Sequence, residues 1–250
     1  MTWYILCIRT TPEKELLIMP IGLGLDATYL LVIAGALLCM VASGYLKSTF
    51  ATCSRVQSTS GLTGKEVAER LLYSQGIFDV TVKHVSGNLT DHYDPRTKQV
   101  CLSDATYAST SVAAIGVAAH ECGHACQHHN GYAPLSWRTS LVPMVNLGST
   151  IAWPLILIGL FFNNQSSIVF LNIGIVAFSL AVLFQVVTLP VEFNASSRAL
   201  KMLGSNGILS AEEVPLSRKV LTAAALTYVA SAISSALQLL RIVLLSNRRR

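Results

Sequence analysis

Polar and apolar positions along the chain fall into long alternating blocks of two characters. Four blocks are uniformly apolar. The first, residues 26–46, carries no charge after Asp26 and runs Tyr29-Leu-Leu-Val-Ile-Ala-Gly-Ala-Leu-Leu-Cys-Met-Val-Ala42. That is close to the ~20 residues a helix needs to cross a bilayer. Residues 141–162 and 168–189 are two more, parted by the short polar turn Asn163–Ser167. Together 141–189 predicts a transmembrane hairpin, with Pro143 and Pro154 as mild interruptions. Residues 220–245, rich in Ala and Ser with one charge at Arg241, predict a transmembrane or interfacial helix ahead of the basic tail 246–250.

The other blocks mix polar and apolar positions. Within 47–140, Thr63 and Glu66 have the spacing of a capping box. Behind it, Val67 and Leu71 share one face of a helix over 66–74 that stops at Gly76. Val80 to Val85 alternates as a half-buried strand and Gln99 to Ser103 reads as a second. Gly87-Asn88 and Asp94-Pro95 mark turns. A small apolar run, Ser111 to Ala119, then predicts a helix over 109–129 ended by Asn130-Gly131. In 190–219, Pro190 opens a separate helix to about Leu203, closed by Gly204 and Asn206-Gly207. Residues 1–25 form an N-terminal extension. Its first eighteen residues lack the basic n-region of a signal peptide and leave Met19 open as an alternative start.

Composition narrows the class. Of 250 residues, 52% are hydrophobic and 12% charged, where an ordinary soluble domain has about a quarter charged. The chain is therefore read as a mainly α, polytopic membrane protein with about four spans and a small α+β segment, and the bilayer is its first partner. Twelve Lys and Arg lie on the connections 47–140 and 191–219 and none on 163–167, which puts both connections in the cytoplasm. Arg248–Arg250 fall on the opposite side if 220–245 spans fully. The net charge of +5 comes with no basic aromatic face or known motif, so nucleic acid is not expected as a partner. Six Cys include no C-x-x-C pair.

One stretch carries chemistry: His120-Glu121-Cys122-Gly123-His124, an H-E-x-x-H motif. By composition it would arise by accident in roughly one such sequence in two hundred. Four residues apart on a helix, the two imidazoles stack on one face and can hold one Zn²⁺ per chain. Zinc lowers the pKa of a bound water to about 7, and Glu121 is placed to take its proton. Cys122 and Cys126 are each rotated about 200° from the preceding motif histidine and face away as small buried residues.

A catalytic zinc usually has a third protein ligand. His84, His92, His128, His129 and Glu192 are the candidates. His120 and His128 lie about 12 Å apart along a straight helix, too far to share one ion, so His128 reads as a supporting polar residue and His129 as solvated. Glu192 is favoured, because the third span returns there to the side that holds the motif helix.

The chain resembles the YugP-like membrane zinc metallopeptidases over roughly 26–245. The resemblance rests on Lys47-Ser-Thr-Phe50, Ser60-Gly-Leu-Thr-Gly64, Leu89-Thr-Asp-His-Tyr-Asp-Pro95, Ala114 to Glu121, Gly131-Tyr-Ala-Pro134, Leu189-Pro-Val-Glu-Phe-Asn-Ala-Ser196 and Ala224-Leu-Thr-Tyr228. The layout also looks like the wider gluzincins, including the HtpX and CAAX-processing membrane proteases. The resemblance implies a zincin-like domain in the membrane of a bacterium, with His120, His124 and Glu192 as ligands and Glu121 as base. In those relatives an Asp four residues after the Glu ligand orients a ligand histidine. Here that position is Ser196, with Asn194 as another candidate. His92, Arg198 and Tyr228 are candidates for stabilising the oxyanion.

The expected function is a membrane-embedded zinc endopeptidase, its active site cytoplasmic, cutting extended segments of membrane or misfolded proteins. The alternative is a non-proteolytic assembly or scaffold protein holding zinc structurally, but such a site closes with a fourth protein ligand and has no use for Glu121. A transporter would want ionisable groups inside the spans, and 29–46, 141–162 and 168–189 contain none.

Overall fold

The computed structural model describes residues 27–162 and 165–248. Its elements in order are α1 (Tyr29–Cys53), α2 (Gly64–Ser74), β1 (Thr81–His84), β2 (His92–Asp94), β3 (Gln99–Leu102), α3 (Val112–His129), α4 (Ala133–Phe161), α5 (Gln165–Ser205) and α6 (Val214–Asn247). The fold is mainly α with one small sheet. Expectations for residues 1–25, for Asn163-Asn164 and for the last two arginines lie outside the described residues.

The four apolar blocks sit in α1, α4, α5 and α6, each long and apolar enough to cross a membrane. All four helices overrun the blocks that predicted them. The largest difference is at Pro190, where one helix, α5, runs unbroken from Gln165 to Ser205. Proline costs an interior helix about 3 kcal/mol, through one lost hydrogen bond and a clash with the carbonyl four residues back. Beyond it the same helix fully buries Val191, Ala195, Ala199 and Leu203, and burial of that apolar surface offsets the loss. Continuation is cheaper. The turn expected at Asn163–Ser167 is shorter than predicted, since α5 already begins at Gln165.

The chain groups into two compact units. The first, among the described residues, comprises Ala42–Leu135 and Pro190–Thr227. Its sheet has the order β1-β3-β2, with β1 parallel and β2 antiparallel to β3. The strand β2 is not among the expected elements, and it runs directly into the turn expected at Asp94-Pro95. Three residues are too few to alternate visibly, and pairing with β3 supplies what local pattern does not. Helix α2 starts with the expected capping box: Glu66 N–H donates to Thr63 Oγ1, and Thr63 N–H donates to Glu66 Oε2 at 2.8 Å. The Thr63 N–H and the Thr63 hydroxyl both donate to the Glu66 carboxylate and hold it below its ordinary range. Val67, Ala68, Leu71 and Leu72 of α2 pack with Val100 and Leu102 of β3, Ile115, Ala118, Ala119 and Cys122 of α3, and Ala199 and Leu203 of α5. Glu213, just ahead of α6, accepts from the N–H groups of Thr59 at 2.7 Å and Ser210 at 2.8 Å, fixing the loop after α1 to the start of α6.

The second unit comprises residues 27–41, 136–189 and 228–248. Ala152 and Ile156 of α4, Leu171 and Phe178 of α5, and Ile242 of α6 form its core. Small residues let the helices approach: a Cβ at Gly159 would meet the backbone nitrogen of Leu171 at 2.8 Å, and one at Gly174 would meet Ile156. Close contact through small residues is how helices associate in lipid, where apolar surface alone gives no preference for protein over tail.

Candidate metal centre

Helix α3 positions the site. Ser111 caps it, accepting from Ala114 N–H, and Gly131 at φ 61° lets the chain leave. Between them the helix is small-sided, so neighbouring helices come close. At Gly123 a Cβ would lie 2.5 Å from the carbonyl oxygen of Ala195 on α5. Only glycine allows that approach, and it brings α5 against the face that bears His120 and His124.

Among the described residues, His120, His124 and Glu192 form the one group of donors placed to share an ion, with donor atoms within 4.8 Å of one another. Glu192 Oε2 lies 3.3 Å from His120 Nε2 and 3.6 Å from His124 Nε2. Ligands on a tetrahedral zinc with bonds of about 2.0–2.1 Å lie about 3.3–3.4 Å apart, so the spacing fits such an ion. The imidazole planes are nearly perpendicular, at 88°. Two neutral imidazoles and a carboxylate are the donor set zinc takes in thermolysin-type sites. Glu121, 1% exposed, sits on the same turn of α3.

The histidines are held from behind. His120 Nδ1 meets Ser196 Oγ at 3.1 Å. His124 Nδ1 meets Gln127 Oε1 at 3.0 Å, and Gln127 Nε2 donates to the Val191 carbonyl at 2.8 Å and to Asn194 Oδ1 at 3.0 Å. Arg198 Nε donates to Asn194 Oδ1 at 2.8 Å, and its guanidinium carbon lies 6.0 Å from the centre of the Tyr132 ring.

The other expected site residues are placed as follows. Ser196 and Asn194 lie at the centre, each touching a different part of the support. Arg198 is joined to Asn194 rather than standing alone as an oxyanion donor. His128 is exposed and pairs with Tyr93, whose hydroxyl lies 2.9 Å from His128 Nδ1. The residue that supports His124 is thus Gln127, not His128. Gln127 turns 300° from His124 and so falls beside it, whereas the i, i+4 series drew attention to His128. The available signal was a glutamine three residues beyond the second motif histidine, directly after the small pair Ala125-Cys126. Burial, aided by Asp79 and Asp94, pushes the Tyr93 phenol up to about 12, so it keeps its proton at neutral pH. His92 lies on β2, its Nδ1 2.9 Å from the Thr90 carbonyl. His84 pairs with Asp104 at 2.6 Å, and His129 is exposed. Tyr228 lies on α6 in the stretch that groups with the second unit. Cys122 and Cys126 point away from the donors, Cys122 Sγ donating to the Ala68 carbonyl and Cys126 Sγ meeting Met202 Sδ at 3.7 Å. Burial pushes both thiols up.

The chain matches known proteins over nearly all of this structure. It is 47% identical over 200 residues, 80% of this chain and 88% of the other, to the Bacillus subtilis (strain 168) protein named "Putative membrane protease YugP". No solved structure matches it. Residues 28–247 match the family described as "Putative neutral zinc metallopeptidase", and the chain belongs to that family.

Proposed function

We propose that this membrane protein is a zinc-dependent endopeptidase, with His120, His124 and Glu192 holding one zinc per chain and Glu121 acting as general base. The observation that carries the reading is the buried Glu192 oxygen at close to tetrahedral-edge distance from both histidine Nε2 atoms, with a second buried carboxylate, Glu121, on the histidines' own helix. Zinc bound there would supply a Lewis acid and a water acidic enough to ionise near neutral pH. Glu121 takes a proton from the attacking water and returns it to the leaving amine. Ser196 and Gln127 keep the imidazole rings aimed at the shared point. Among the described residues β2 ends the sheet, and an extended peptide laid alongside it would continue the sheet. That geometry favours unfolded or extended segments of membrane and misfolded proteins as substrates. The site faces the cytoplasm of a bacterial cell in this reading, supported by the Lys and Arg of 47–140 and 191–219.

The test compares detergent-purified wild type with Glu121→Gln on an unfolded protein substrate, measuring zinc in both. The expected result is zinc in both samples and cleavage reduced about 10²–10⁴-fold in the variant. Equal cleavage in both would overturn the assignment of the base. Zinc in both with cleavage in neither would favour a scaffold that uses zinc structurally.

A further inference from the structure

Gln127 is fully buried, yet its side-chain amide makes three polar contacts. The order of donors and acceptors along them admits one arrangement. A guanidinium only donates, so Asn194 must turn its carbonyl oxygen toward Arg198 and, with the same atom, toward Gln127. A main-chain carbonyl only accepts, so Gln127 must spend its two N–H groups on Val191 and Asn194. Its oxygen is left for His124. An oxygen facing a ring nitrogen across 3.0 Å requires that nitrogen to carry the hydrogen. In a neutral imidazole the lone pair then belongs to Nε2, the atom that faces Glu192.

His120 is held differently. Its Nδ1 meets the Ser196 hydroxyl, which donates or accepts with equal ease, so the partner dictates no tautomer. Two histidines one turn apart therefore differ in how far the protein has prepared them.

We infer that Arg198, Asn194 and Gln127 are positioning residues that lock His124 in its Nδ1–H tautomer before any metal arrives, while the Ser196 hydroxyl sets no such lock on His120 Nδ1. The chain also crosses helices, since Gln127 lies on α3 and the others on α5, with Val191 directly before Glu192. The same bonds that set the tautomer thus tie the histidine helix to the carboxylate helix. The inference rests on the metal-site reading above, but it concerns the metal-free protein and is testable there.

The experiment uses full-length protein in detergent, stripped of zinc, with ¹⁵N-labelled histidine. At a pH above the imidazole titration range, the ring-nitrogen resonances report which nitrogen bears hydrogen. His124 should show Nδ1–H alone. Gln127→Met should give a mixture of tautomers at His124 and lower zinc affinity, by chelator competition, about 10–100-fold. Asn194→Asp still accepts from both Arg198 and Gln127, and should keep the single tautomer and near-wild-type affinity. Arg198→Met should fall between, since Val191 still fixes one N–H of Gln127. A wild-type His124 bearing hydrogen on Nε2 would overturn the inference. So would a Gln127→Met protein that loses zinc affinity yet keeps one tautomer, which would mark a merely structural role. Wild type that binds no zinc but shows the locked tautomer would sink the metal site and leave the lock standing.

Discussion

The two units differ in what they bury. The first hides Asp91, Glu121, Glu192 and Glu213 along with both motif histidines. The second, among the described residues, contains no carboxylate, no histidine and no lysine, and of its arginines Arg241 stacks on the Tyr29 ring at 4.1 Å. A buried charge costs several kcal/mol unless hydrogen bonds replace its water. The first unit supplies them: Asp91 accepts from the N–H and hydroxyl of Ser103, each at 2.8 Å, and Glu213 from Thr59 and Ser210. The second unit carries few such groups, Arg241 with its buried Nε among them, and relies on close helix contact at Gly148, Gly159 and Gly174. The donor cluster thus lies in the first unit and most of the apolar helix length in the second, and each of the four long helices has residues in both.

The sharpest break of that division is a change at the α3–α5 contact. Gly123→Ala places a methyl against the Ala195 backbone, which cannot yield as a side chain would. It should cost about 1–3 kcal/mol of stability and lower zinc content, measured by thermal unfolding and metal analysis of purified protein. Normal zinc content would show that the helices part without moving the donors.

Matched truncations test whether the two cores are held by the same force. Ile115 in the first unit and Ile156 in the second are both fully buried. In water, Ile→Ala costs about 2–5 kcal/mol from lost transfer energy plus the cavity. In lipid the transfer part disappears, because acyl chains are as apolar as the core. Ile115→Ala should therefore destabilise more than Ile156→Ala in denaturant titrations. Equal losses would mean that packing dominates in both.

Smaller effects sit at the edges of the first unit. Thr63→Ala removes the cap of α2 and should cost about 1 kcal/mol by the same titration. Burial raises the Glu213 carboxyl, but hydrogen bonds from Ser210 and Thr59 outweigh it, and the net value lies below the ordinary one near 4.5. A carboxylate with a depressed folded value stabilises above its unfolded pKa and loses that contribution as pH falls through the folded one. Glu213→Gln should therefore flatten the acid side of the stability curve below about pH 4.5, while leaving its neutral shape unchanged. An acid limb identical to wild type would remove Glu213 from the account.

Local signals were legible where they suffice on their own. The capping box at Thr63 and Glu66, the helix around His120 and His124, and the four apolar blocks all depend on residues a few positions apart. What the sequence hid depends on partners far along the chain. Pro190 reads as a helix start because proline usually breaks helices, and the packing of Ala199, Met202 and Leu203 into a core built largely from residues 67–126 accompanies an unbroken α5. Strand β2 exists because β3 lies beside it. Gln127 matters because Val191 and Asn194, more than sixty residues on, accept its two N–H groups.

The phase of α3 has one more consequence. Cys122 and Cys126 lie within a turn of the donors, and either sulfur turned inward would make the site a soft one, suited to Cu(I) as readily as to zinc. Their angle around the helix instead commits them to the core, Cys122 against Ala68 and Cys126 against Met202. Two imidazoles and a carboxylate remain, a borderline-hard set whose preference among metals is written in helix rotation.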